Sequence, residues 1–146
     1  NITKGNLVQT EMIMGNPAFV ENLVKVVKSD PRDVGRDAVS ALVNSTKKKC
    51  LPAQAIRLLE NGILGCFVRL LKSPDVKLLL EVLGGIENCL MWGKEFELVG
   101  EKGENIFLSE LRKNGGLSQI KALEKHKNTR VCEKVNKMIE NCSLVF

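Results

Sequence analysis

Apolar residues recur at helical spacing along most of the chain. In the second quarter Ile56, Leu59, Ile63, Phe67, Leu70 and Leu71 return every few positions, as one face of a helix requires. The interruptions have a chemistry of their own. Gly62, after Asn61, can take positive φ without a Cβ penalty and so suits a helix end, whereas Ser73, Pro74 and Asp75 suit a helix start. The pattern predicts helices over 52–60, 63–71 and 75 to about 92, and no sheet.

The same grammar returns at a fixed distance. The segment 19–44 aligns with 63–88 under a shift of 44 positions, so that Val26-Val27-Lys28-Ser29 faces Leu70-Leu71-Lys72-Ser73, Asp37 faces Glu81, Val39 faces Leu83 and Asn44 faces Asn88. A looser third copy opens at Asn114-Gly115, which matches Asn61-Gly62. A period of about 40–47 residues with two or three helices is the size of armadillo or HEAT units, which stack because no single unit can bury its own apolar face. The expectation is an all-α, right-handed α-α superhelix of about three repeats. It forms one domain over 1–146, with units near 7–46, 51–92 and 106–142 and an exposed connector at 93–105, where three Gly and four Glu interrupt the pattern.

Composition narrows this without changing it. The chain has 146 residues, 44% of them hydrophobic and 27% charged, enough for one domain with a real core. Aromatics are scarce, with no Tyr, one Trp and five Phe. Arg69, Lys72, Lys77 and Glu81 break the most apolar stretch, so no membrane insertion is expected. Residues 1–20 lack the signature of a signal peptide. The five cysteines, Cys50, Cys66, Cys89, Cys132 and Cys142, are odd in number and widely spaced with no CxxC, which reads as reduced thiols in a cytosolic or nuclear protein. The net charge of +5 is interleaved with acids rather than blocked.

Three strings, at 37–44, 62–96 and 114–140, resemble in order the last three armadillo repeats of importin-α. The closing string is the most specific: Gly115, Gly116, Leu117, Ile120, Ala122, Leu123, His126, Ile139 and Glu140 follow the family's ending. In that family the third helix of each repeat lines a groove, where a Trp and an Asn four residues apart receive a basic nuclear localisation signal. Asn side chains offer a donor and an acceptor to an extended backbone, indole faces pack Lys and Arg stems, and carboxylates hold the charges. The resemblance implies a peptide-binding groove at Asp37, Ser40, Asn44, Glu81 and Asn88. Asp37, Ser40 and Asn44 stand at i, i+3 and i+7 and share a helix face. The sequence departs from the family in its aromatics, since Ser40 stands where one Trp would be and Gly84 at the matching place in the next unit.

The implied partners are localisation-signal cargo at a weak or partial site, a recycling exportin of the importin-β family, and a nucleoporin. The third unit is the region expected to meet the exportin. A protein of this kind would shuttle between nucleus and cytoplasm. No cofactor, metal, small-molecule substrate or catalysis is expected, because nucleotide-binding, HExxH and GxSxG signatures are all missing.

Other residues admit two readings each. Trp92 reads as packing and His126 as a turn or packing residue. Lys47, Lys48 and Lys49 read as a basic helix end or as an import signal. Lys121, Lys125, Lys127, Arg130, Lys134 and Lys137 form a basic final region that either meets an acidic partner or is simply solvated. Two rival readings of the whole remain. One is another armadillo or HEAT scaffold; the other is a basic α-solenoid that binds nucleic acid, against which the missing aromatics argue.

Overall fold

In the computed structural model, residues 33–47 and 51–144 are described, with side chains from Val39 onward in the first helix. The described residues form seven helices and a single isolated bridge, Val99 to Asn105. They are α1 (Asp33–Thr46), α2 (Pro52–Glu60), α3 (Ile63–Leu70), α4 (Val76–Glu95), α5 (Ile106–Lys113), α6 (Gly116–Leu123) and α7 (Thr129–Asn141). The short, short, long order occurs twice, as α2-α3-α4 and α5-α6-α7, with α1 ahead of them.

Each junction has a local cause, and the two triads share it. Asn61 and Asn114 fold their carboxamides back onto the preceding turn, Nδ2 donating to Arg57 O at 2.8 Å and to Glu110 O at 3.0 Å. The glycines that follow, Gly62 and Gly115, take φ of 86° and 75° and start α3 and α6. The third helices are capped by short polar side chains. Asp75 Oδ1 accepts from Lys77 N at 3.1 Å and Leu78 N at 3.3 Å, and Asn128 Oδ1 accepts from Arg130 N at 2.9 Å. Both long helices also end alike. Glu97 and Ser143 take φ of 52°, and the next amides, Leu98 N and Leu144 N, return to Gly93 O at 2.9 Å and Ile139 O at 3.0 Å. This is a left-handed helix ending built without its usual glycine.

Helix α4 runs to Glu95, three residues beyond the expected end near Trp92. The reason is Asn105, whose side chain caps α5 by accepting from Phe107 N at 2.9 Å and donates from Nδ2 to Leu90 O at 2.9 Å. A Cβ on Gly93 would collide with that carboxamide, so glycine there serves helix-to-helix contact, and the residue is buried inside the helix. The exposed part of the connector is its middle, around Gly100 to Gly103. Glu104 closes it, accepting from Ser109 Oγ at 2.8 Å and from Arg112 Nη1, which hold its carboxyl below the usual carboxylate range.

One continuous core runs through the stack. Phe67, Leu64 and Ile63 of α3, Leu79, Leu83 and Ile86 of α4, Phe107 and Leu111 of α5 and Ile120 of α6 are all fully buried. Trp92 is a packing residue, buried edge-to-face against Phe107 with ring centroids 6.4 Å apart. His126 is a turn residue whose Nδ1 accepts from Asn128 N at 3.0 Å. Cys66 and Cys89 are buried, and Cys132 and Cys142 are half-buried; Cys50, Lys48 and Lys49 lie outside the described residues.

Candidate functional site

The long third helices stand in a row, with α1 packed on α4 and α4 on α7. A side chain on the outer face of one is therefore beside the next. Gly85 lets this happen: it faces the Phe67 ring and the Val43 side chain, which brings α1, α3 and α4 together at one point.

The predicted groove residues fall on this row. Ser40 of α1 donates from Oγ to Glu81 Oε2 of α4 at 3.2 Å, so these two positions are neighbours across the helix pair. Asn88 of α4 donates from Nδ2 to Thr46 Oγ1 of α1 at 3.1 Å, and Thr46 Oγ1 donates in turn to Val43 O at 2.6 Å. Asn44 is half-buried near the end of α1, where its carbonyl accepts from Lys47 N at 3.2 Å. Asp37 lies within α1, but its side chain falls outside the described residues. Gly84 meets open space, since nothing stands within 4 Å of a Cβ built there.

The α4–α7 side of the row carries residues that the sequence reading did not single out for the groove. Lys134 Nζ of α7 donates to Glu87 Oε1 of α4 at 2.7 Å, while Glu87 Oε2 is buried and unpartnered. The register that pairs Asn61-Gly62 with Asn114-Gly115 also pairs Glu81 with Lys134, Gly84 with Lys137 and Asn88 with Asn141. Carrying that shift into the last helix would have found them. Along the row, then, asparagine recurs in all three units at one position. The acid of the first two units is replaced by lysine in the last, and the position of the family's aromatic reads Ser40, Gly84, Lys137.

A separate recess of about 700 Å³ lies between the end of α4, α5 and the end of α7, lined in part by Leu90, Lys94, Leu108 and Cys142. Burial pushes the Cys142 thiol up to about 11, the Glu87 carboxylate adds to the rise, and Lys94 and Lys134 oppose it. Among the described residues no group of His, Cys, Asp and Glu could hold a metal ion, and no helix is long and apolar enough to cross a membrane.

No family model matches the chain. Among curated proteins it is similar to importin subunit alpha-2 of Arabidopsis thaliana, 31% identical over 90 residues that make up 61% of this chain and 17% of that protein. Importin subunit alpha-5 of Arabidopsis thaliana is 26% identical over 127 residues, 87% of this chain and 24% of that protein. Importin subunit alpha-3 of Caenorhabditis elegans is 30% identical over 90 residues, 62% of this chain and 16% of that protein. The chain thus spans less than a quarter of the length of these relatives. Among solved structures, the designed armadillo repeat protein YIII(Dq)4CqI superposes with a TM-score of 0.71 at 21% identity, over 97% of this chain and 53% of that one. A second design, solved in complex with the peptide (KR)4, gives a TM-score of 0.52 at 20% identity, over 95% of this chain and 70% of that one. The chain has the armadillo-repeat fold, and its sequence resembles that of importin-α subunits.

Proposed function

We propose that the chain is the C-terminal part of an importin-α-like nuclear import adaptor, one armadillo domain that works by reversible protein binding without chemistry. The observation that carries this reading is the sequence similarity to importin-α subunits, which for one relative extends over 87% of the chain. The recurrence of Asn44, Asn88 and Asn141 at one position of the α1–α4–α7 row supports a groove for an extended polypeptide, because each carboxamide offers a donor and an acceptor to backbone amides. A designed armadillo repeat protein of the same fold, solved in complex with the peptide (KR)4, supports this reading.

Asp37, Ser40, Asn44, Glu81 and Asn88 form the proposed groove of the first two units. Its grip on a basic localisation signal is weak, for two reasons. Indole faces are replaced by Ser40 and Gly84, and Glu81 already accepts a hydrogen bond from Ser40. The main partners on this reading are a recycling exportin of the importin-β family and a nucleoporin, with shuttling between nucleus and cytoplasm as the consequence. The test is retention of a purified recycling exportin and a nucleoporin on the immobilised chain. Retention of either supports the transport role. If neither is held, the chain is an armadillo scaffold of some other process.

A further inference from the structure

We infer that the α7 end of the groove takes an acidic segment of a partner protein, with carboxylates about three residues apart, in place of a basic one; this rests on the reading of the helix row as a groove. Residues 121–137 hold six basic side chains, Lys121, Lys125, Lys127, Arg130, Lys134 and Lys137, against two acids, Glu124 and Glu133. That local excess of four positive charges is nearly the whole net charge of +5. Within α7, Val131, Val135 and Met138 face the core, while Arg130, Lys134 and Lys137 stand at i, i+4 and i+7 on another face, which they share with Glu133.

Lys134 fixes where that face points, because its bond to Glu87 draws it toward α4. Lys134 is occupied by that contact, but Arg130 and Lys137 are exposed and make no ion pair among the described residues. Seven residues of helix span about 10 Å, the length of roughly three residues of extended chain. Two carboxylates at that spacing would meet Arg130 and Lys137 together. A basic peptide entering here would meet like charge at Lys137, which matches Gly84 of the preceding unit, and would find Lys134, paired with Glu87, where that unit has Glu81. The acid that attracts cations at Glu81 thus has no counterpart at that position one unit later.

The experiment is a fluorescence-anisotropy titration of the full chain with three labelled peptides of equal length, bearing Glu, Lys or Ser at every third position. The Glu peptide is expected to bind at least tenfold more tightly than the other two. The double variant Arg130→Glu/Lys137→Glu should erase that preference at unchanged helix content. Equal binding of the three peptides, or a preference that survives the double variant, overturns the inference. So does a single-stranded RNA of equal charge that binds as tightly as the Glu peptide. The variant Asn44→Ala/Asn88→Ala separates this inference from the groove reading. If it weakens all three peptides while the charge reversal changes nothing, the groove stands and the acidic partner falls. If it changes nothing while the charge reversal acts, the acidic site stands and the groove falls.

Discussion

The ring of Phe67 lies directly against Gly85, so that a Cβ built on that glycine would sit 2.9 Å from the ring's Cζ. Its neighbour in sequence, Gly84, meets nothing within 4 Å. Two adjacent helical glycines therefore have opposite reasons to exist, and adding one methyl to each should act oppositely. Gly85→Ala forces Phe67 or Val43 to move in a closed core and is expected to destabilise by about 1–3 kcal/mol. Gly84→Ala adds helix propensity without a clash and should stabilise by about 0.5–1 kcal/mol. Urea midpoints of the two variants at unchanged slope check this. Shifts of the same sign would mean that α4 is rotated from the placement described above.

Much of that packing was readable from the chain. The helical period of Ile56 to Leu71, the paired Asn-Gly breaks and the Ser73-Pro74-Asp75 start fixed α2, α3 and the beginning of α4 within a residue, because each signal is local and chemically specific. The end of α4 was hidden. Its ending uses Glu97 in the left-handed region in place of the glycine that usually marks one, and Gly93, which looks like a breaker, is held inside the helix by a side chain twelve residues later, Asn105. Long-range contacts leave no trace in a local window. The site divides in the same way. Asp37, Asn44, Glu81 and Asn88 come from the family resemblance and are paired by the repeat register, and the same register carried into α7 reaches Lys134 and Lys137; Glu87 has no such signal and enters only through its contact with Lys134.

Ser40 offers a direct test of the groove. Its hydroxyl holds the Glu81 carboxylate at 3.2 Å, so the residue that the proposed groove sets at an aromatic position also occupies an acid. Ser40→Trp would restore a face for Lys and Arg stems and release Glu81 to a peptide cation. Affinity for a bipartite localisation peptide is expected to rise by about 0.5–2 kcal/mol, roughly 2- to 30-fold. Ser40→Ala, which only frees the acid, should gain less. Calorimetric titration of the peptide against the three proteins gives the ranking, and no gain for the Trp variant would remove Ser40 from the groove.

Glu87 and Lys134 join the second and third units through one charge-assisted bond of 2.7 Å. The second oxygen of Glu87 is buried and unpartnered, so it depends on Lys134 for any compensation. Lys134→Met leaves the partly buried Glu87 carboxylate without its cation and should cost about 1–3 kcal/mol. Replacing both, Lys134→Met with Glu87→Met, removes the stranded charge and should recover most of that loss. A double-mutant cycle by chemical denaturation measures the coupling. Additive effects of the two substitutions would show that the pair does not hold the units together.

Cys142 gives the stack a pH dependence of its own at high pH. Burial first, and then the nearby Glu87 carboxylate, raise its thiol from an ordinary 9.0 to about 11. The native chain therefore keeps a proton that the unfolded chain gives up above pH 9. By linkage this contribution to stability is complete below about pH 9 and is lost as pH rises through about 11. Two measurements follow. At pH 8 Cys142 should react with an aromatic disulfide reagent more slowly than an unfolded thiol, since the thiolate is the nucleophile. Between pH 9 and 11 the denaturation midpoint of the wild-type chain should fall more steeply than that of Cys142→Ser, which has no thiol to titrate. Lysines titrate in the same range in both proteins, so only the difference between the two curves reports on Cys142. Parallel curves would place the thiol in water and away from Glu87.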